Sequence, residues 1–175
     1  MPHHFKVHDG AYPHFITNSV VYGIPAFCRE QHFRLLTDSL RYCVANKGLL
    51  VHAFVLMPNH FHAVCSQTDG KISDVLRDLK RHTASQMLSM LKEGGYEMWI
   101  RALTNAGGGK GKLWDDAFHP MEVHSKEFFE QKLAYIHNNP VKAGFVELPQ
   151  HWKYSSAGLY YDEAESPVPV APLEW

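Results

Sequence analysis

A chain of 175 residues with 45% hydrophobic and 20% charged residues has the length and composition of one folded domain that buries a real core. No apolar run approaches the roughly 18 residues that span a bilayer, and Met1–Lys6 holds no apolar signal region, so a cytoplasmic protein with no membrane partner is expected. The formal net charge is −1, and residues 1–160 carry 17 basic against 14 acidic groups, a net of +3, which falls short of the strongly basic footprint of a typical DNA-binding domain.

Residues 11–22 are rich in aromatic and β-branched types and are expected as the first strand, broken by Gly23-Ile24-Pro25. Phe33, Leu35, Leu36, Leu40, Tyr42 and Cys43 recur at mostly helical spacing over 30–46, with Gly48 as a C-terminal cap. The apolar run 49–57 predicts a central strand, Pro58-Asn59 a turn, and the alternating residues 60–67 a hairpin partner. Ser73 is expected to cap a second helix with Val75, Leu76, Leu79, Met87, Leu88 and Leu91 as its apolar stripe, ended by Gly94-Gly95. Residues 105–112 form a glycine-rich loop that lacks the order of a phosphate-binding loop. A fourth strand is expected within 113–123 and a third helix from Ser125 to about Asn139, since geometry disfavours a helical residue before Pro140. The acidic, proline-rich segment 161–175 is expected as a loosely ordered tail to a domain of residues 1–160. Together these elements predict an α+β fold, a ferredoxin-like antiparallel sheet with helices packed on one face.

Side chains alternate across a strand, so His60 and His62 share a face while Phe61 packs on the other. Two imidazoles on one face can bind a divalent ion if a third ligand approaches from another element, although the chain has 13 histidines and such a pair also arises by coincidence. Tyr135 and Asn139, four residues apart, share a helix face. Phe128, Phe129, Leu133 and Ile136 would turn that helix toward the sheet, which brings Asn139 within range as an oxygen ligand and Tyr135 one turn away. The alternative is a core tyrosine and a helix-ending asparagine. Cys28, Cys43 and Cys65 are odd in number, lack metal-type spacing and read as reduced thiols, with Cys65 facing away from the histidines.

Arg77, Lys80, Arg81 and His82, with Lys110 and Lys112 of the glycine loop, are candidate DNA phosphate contacts or equally an ordinary solvated surface. Trp114, Phe118 and Trp152 are candidates for base stacking or for the core, and His119 for proton transfer.

The segments LMPNHFHAV (56–64) and YIHNNPVKAGFV (135–146) resemble the signature blocks of the REP-associated tyrosine transposases, in the single-tyrosine branch of the histidine-hydrophobe-histidine endonuclease superfamily. The resemblance continues through ISDVLRDLKRHTASQ (72–86), LWDDAFH (113–119) and WKYSSAGLY (152–160) in the same order. It implies a ferredoxin-like fold and an enzyme that cleaves and rejoins single-stranded, hairpin-associated DNA. His60, His62 and Asn139 would hold Mg²⁺ or Mn²⁺, and Tyr135 would be the nucleophile that leaves a 5′-phosphotyrosine and a free 3′-hydroxyl. A free tyrosine titrates near pH 10, so its proton must be taken or its charge stabilised during attack. Relatives of this kind act as monomers or homodimers, and tails like Trp152–Ser156 and beyond are implicated in guide-sequence recognition or access. A noncatalytic single-stranded nucleic-acid-binding module on the same fold is the alternative, and a phosphodiesterase that uses water is a third.

Overall fold

The strand that begins the fold, β1 (His14–Ser19), is shorter than the aromatic run that predicts it, because Val21–Gly23 closes into a single 3-10 turn with Tyr22 at φ 58°. In this computed structural model, which describes residues 13–116 and 120–173, β1 is followed by α1 (Glu30–Lys47), β2 (Leu49–Met57), β3 (His60–Gln67), α2 (Ile72–Glu93), α3 (Glu97–Ala106), β4 (Met121–Glu122), α4 (Lys126–Lys142) and α5 (Ala157–Asp162). The four strands run in the order β2-β3-β1-β4, every pair antiparallel. That is the ferredoxin-like order, with β1 and β3 in the middle.

Alternation along the strands divides the interior in two. Ile16, Phe54, Leu56, Phe61, Ala63 and Cys65 point to one side, where Leu36 and Leu40 of α1 and Leu76, Leu79 and Met87 of α2 cover them. Phe15, Ala53, Val55, Met57 and Val64 point to the other, beneath Phe129, Leu133 and Ile136 of α4. The single helical layer expected from the sequence is therefore the one made by α1 and α2, and α4 covers the opposite face. A bulge at His52 lets β2 keep apolar residues on both faces despite a change of parity between Val51 and Ala53.

Several local expectations are corrected. β2 is an edge strand, not a central one. It is buried because its free edge is covered by the C-terminal segment: Leu56 N donates to Tyr154 O at 2.8 Å, Ser156 N to Phe54 O at 3.0 Å, and Ala171 N to Val51 O at 2.8 Å. The tail is thus held, and Val168 is fully buried in the larger core. Ser73 does not cap α2, which starts one residue earlier, after an extended Lys71. Ser125 does cap α4, its Oγ accepting Phe128 N at 3.2 Å. α3 adds a helix that was not expected, with Leu103 its buried anchor, and the fourth strand shrinks to two residues.

Pro140 does not end α4. The helix runs on to Lys142, and the turn closes by Ala143 N donating to Asn139 O at 3.0 Å and Phe145 N to Pro140 O at 2.9 Å before Gly144 takes a left-handed φ of 75°. Pro140 has no N–H to give the Ile136 carbonyl, so the helix lacks one bond inside its last turns and still closes. Among the described residues no helix is long and apolar enough to cross a membrane.

Candidate active site

β3 places His60 and His62 on the face covered by α4, and the fully buried Phe61 on the other, edge-on to Trp114 at 5.6 Å between ring centres. In the β1–β3 ladder Thr17 stands opposite His62 and Ser19 opposite His60. Because α4 stays helical through Asn139, Tyr135 and Asn139 project from one side of it. The four residues meet. The His60 and His62 ring centres are 4.7 Å apart, His62 and Tyr135 5.1 Å, and Asn139 Oδ1 lies 3.2 Å from His60 Nε2. Phe15 forms the floor, stacked on His62 at 5.5 Å and edge-on to Tyr135 at 5.9 Å. Tyr135 keeps 42% of its surface open to solvent, and so it can be reached.

Burial pushes the His60 pKa below the ordinary imidazole range, with the Asn139 contact acting the other way. His62, 5% exposed, is pushed down to about 3, first by burial and then by the charges of His60 and Lys132. Both rings are neutral at neutral pH and each holds one proton. His62 Nδ1 lies 2.8 Å from Thr17 Oγ1, and its Nε2 has no hydrogen-bond partner among the described residues. His60 sits between two amide oxygens, Asn59 Oδ1 at 2.7 Å from Nδ1 and Asn139 Oδ1 at 3.2 Å from Nε2. One proton cannot serve both oxygens. With the proton on the closer side, the Nε2 lone pair faces the Asn139 oxygen.

Two acceptor atoms aimed together, beside a third unanswered ring nitrogen, fit a cation. Nitrogen and amide-oxygen donors suit a hard or borderline divalent ion and leave positions free, unlike a closed structural zinc site. Among the described residues no three His, Cys, Asp or Glu side chains gather to hold a metal, so this set depends on the Asn139 amide. Cys65 contributes no thiolate: it is fully buried on the far face, and burial pushes its thiol up to about 12.

The structure does not bring the other candidates to this patch. Arg77, Lys80 and Arg81 belong to α2, on the opposite side of the sheet. Arg77 pairs with Asp74 at 2.7 Å, Arg81 with Asp78 at 3.1 Å and Lys112 with Asp116 at 2.5 Å. Lys80 donates to Asp115 O at 2.8 Å, and Lys110 is exposed on the glycine-rich turn. Trp114 is not available to bases. It is 4% exposed, stacked on Phe27 at 5.5 Å, with Nε1 donating to Thr83 Oγ1 at 2.9 Å. Trp152 stacks on Phe145 at 5.3 Å and donates from Nε1 to Leu56 O at 2.9 Å, so it braces β2. Phe118 and His119 lie outside the described residues.

Sequence reasoning missed Asn59 and Thr17, the partners of the two imidazoles. Asn59 read only as a turn residue, and Thr17 is paired to His62 by strand register alone. It also missed His137, two residues from Tyr135. That side chain is fully buried, with Nε2 2.8 Å from Ser156 Oγ, and it ties α4 to the segment that covers β2.

No family model matches the chain. It is 22% identical over 156 residues to a REP-associated tyrosine transposase from Escherichia coli (strain K12), covering 84% of this chain and 79% of the relative. Its fold is similar to the solved structure of a REP-associated tyrosine transposase bound to a REP hairpin, with a TM-score of 0.65 and 16% identity over 100% of this chain and 95% of the other. The signature blocks, the matched relative and the shared fold agree: the chain is similar to the REP-associated tyrosine transposases.

Proposed function

We propose that this protein is a metal-dependent DNA strand transferase that cleaves and rejoins single-stranded, hairpin-associated DNA through a 5′-phosphotyrosine intermediate. A transposase-like role in DNA processing is supported by the two relatives. The finer reading is supported by one observation, the meeting of His60, His62, Asn139 and Tyr135 from β3 and α4 on a single open patch. Residues 1–160 carry the catalytic module in this reading, and 161–175 are its tail.

His60 and His62 through Nε2 and Asn139 through Oδ1 would hold Mg²⁺ or Mn²⁺, which when bound neutralises charge that builds on the phosphate oxygens. The chain's own residues do the rest. Asn59 and Thr17 hold the two imidazoles in one orientation, with Nε2 turned to the patch. Phe15 excludes water from beneath the rings. The Tyr135 oxygen forms a bond to phosphorus while the P–O3′ bond breaks, the phenol proton goes to solvent, and the departing 3′ oxygen takes up a proton. Because the new phosphotyrosine keeps the ester, a second 3′-hydroxyl reverses the step without an outside energy source. Arg77, Lys80, Arg81, Lys110 and Lys112 serve flanking DNA in this reading, away from the reacting phosphate.

The test is a denaturing gel of hairpin-bearing single-stranded DNA with Mn²⁺. Wild type should give a covalent protein–DNA adduct and Tyr135→Phe none, with DNA binding largely kept. An adduct that persists in Tyr135→Phe overturns the assignment. Cleavage without adduct that survives Tyr135→Phe and fails in His60→Ala marks a water-using phosphodiesterase, and binding without cleavage marks a noncatalytic module.

A further inference from the structure

Along α4, Lys132, Tyr135, Asn139 and Lys142 follow one another at steps of three, four and three residues. At about 100° per residue the four fall within an arc of roughly 80°, and Lys132 and Lys142 stand about 4.5 Å behind and about 10.5 Å ahead of Tyr135 along the axis. Both lysines are drawn onto the aromatic rings of the site. Lys132 Nζ is 4.7 Å from the Phe15 ring centre and 4.9 Å from that of Phe128, and Lys142 Nζ is 5.5 Å from that of Tyr135.

Neither forms an ion pair among the described residues. Arg77, Arg81 and Lys112 differ, since each is neutralised by an aspartate of its own loop or helix. Unneutralised ammonium groups on both sides of a nucleophile, on one helix face, leave a line of positive potential across an exposed tyrosine. The ligand that such a line fits is a linear polyanion whose charges repeat along a flexible backbone, a single nucleic-acid strand.

We propose that α4 is the track for the single strand, with Lys132 and Lys142 holding the phosphates on the two sides of the one that Tyr135 attacks. This rests on the reading of Tyr135 as nucleophile. A strand laid along the helix in this way crosses the histidine pair at Asn139, so the same contacts that bind it set which phosphodiester is presented. Phosphate contacts position a strand without reading its bases, and the track is therefore indifferent to sequence.

The experiment measures equilibrium binding of a single strand of about four nucleotides, which engages α4 with little of the flanking surface. It uses full-length Tyr135→Phe protein over a series of salt concentrations. Removing both charges with Lys132→Gln/Lys142→Gln should weaken binding about tenfold and flatten the slope of log affinity against log salt by about 1.4, two phosphates at roughly 0.7 each. Lys132→Arg/Lys142→Arg should keep the slope, and Lys92→Gln/Arg101→Gln, which removes the same charge elsewhere, should leave it unchanged.

An unchanged slope in the glutamine pair overturns the track, even if affinity falls, since that marks lost packing on Phe15. An equal flattening in Lys92→Gln/Arg101→Gln also overturns it, because net charge alone then explains the effect. The covalent-adduct gel reports separately: a flattened slope with no wild-type adduct keeps the track and removes the nucleophile, and an adduct with an unchanged slope does the reverse.

Discussion

Two pairs of histidines sit in the same sheet and helix yet are treated in opposite ways. His52 and His137 are buried, and every ring nitrogen is answered. His52 has Ala171 O at 3.0 Å and Ser66 Oγ at 2.8 Å, and His137 has Ser156 Oγ at 2.8 Å and Tyr161 OH at 3.4 Å. His52 can donate from Nδ1 to the Ala171 carbonyl and accept from the Ser66 hydroxyl, and His137 faces two hydroxyls, so each neutral imidazole has a tautomer that answers both its nitrogens. His60 faces two amide oxygens with one proton, and His62 leaves Nε2 unanswered. Three of the four are buried and His60 is half-buried, so burial alone does not separate the pairs. Within these two pairs the contrast lies in whether the hydrogen bonds are completed, although an unanswered nitrogen does not by itself mark a site, since the buried His32 also leaves Nε2 without a partner among the described residues.

The largest effect expected from breaking this contrast is on the unanswered pair. His60→Ala and His62→Ala should each abolish the metal-dependent adduct while the melting temperature without metal stays near wild type. Mn²⁺ should raise the melting temperature of wild type and not of either variant. A raised melting temperature in both variants would move the ion elsewhere.

The satisfied pair should contribute to acid stability, alongside the likewise depressed site histidines. The His137 pKa is pushed down by burial to about 4, below the ordinary value of 6.5, and burial lowers that of His52 as well. Between those two values the unfolded chain binds the proton and the folded chain does not. The His137 contribution is therefore whole above pH 6.5, falls as pH drops toward 4 and levels off beneath it, while His62, pushed down to about 3, extends the loss to lower pH. At about 1.4 kcal/mol per pKa unit, His137 alone accounts for roughly 3 kcal/mol of that loss. Urea unfolding at a series of pH values checks it, and a flat profile between pH 6.5 and 4 contradicts it.

The smallest effect is on orientation. Thr17→Val keeps the shape beside His62 and removes the oxygen at Nδ1, and it should weaken metal binding about tenfold with little change in unfolding free energy. Calorimetric titration with Mn²⁺ measures the loss directly, and unchanged affinity would mean that packing by Phe15 alone orients the ring.

Much of this molecule is legible from local pattern. The apolar run 49–57, the alternation of 60–67 and the glycine at 48 mark β2, β3 and the end of α1 to within a residue, because each obeys one periodicity and one turn signal. The residues of the candidate site were legible as well, as two same-face pairs. The errors lie where distant segments act. A run as apolar as β2 reads as central, yet it is an edge strand whose edge is covered by residues about a hundred positions away. The acidic tail reads as loose because composition does not report that Val168 is buried in the larger core and Ala171 reaches β2. Pro140 reads as a stop because the rule for the preceding residue is local, whereas here only the last turn has to tolerate it.

By itself the sequence determined the spacing: His60 and His62 two apart on a strand, Tyr135 and Asn139 four apart on a helix, since side-chain direction follows backbone periodicity alone. Only the tertiary structure decided that the two faces meet. It did so through Phe129, Leu133 and Ile136, which bury α4 over β2 and β3 on the side away from α1 and α2. Strand register added Thr17, and a turn added Asn59. The reason is that packing and register depend on residues far apart in the chain, and no local period encodes which of them will touch.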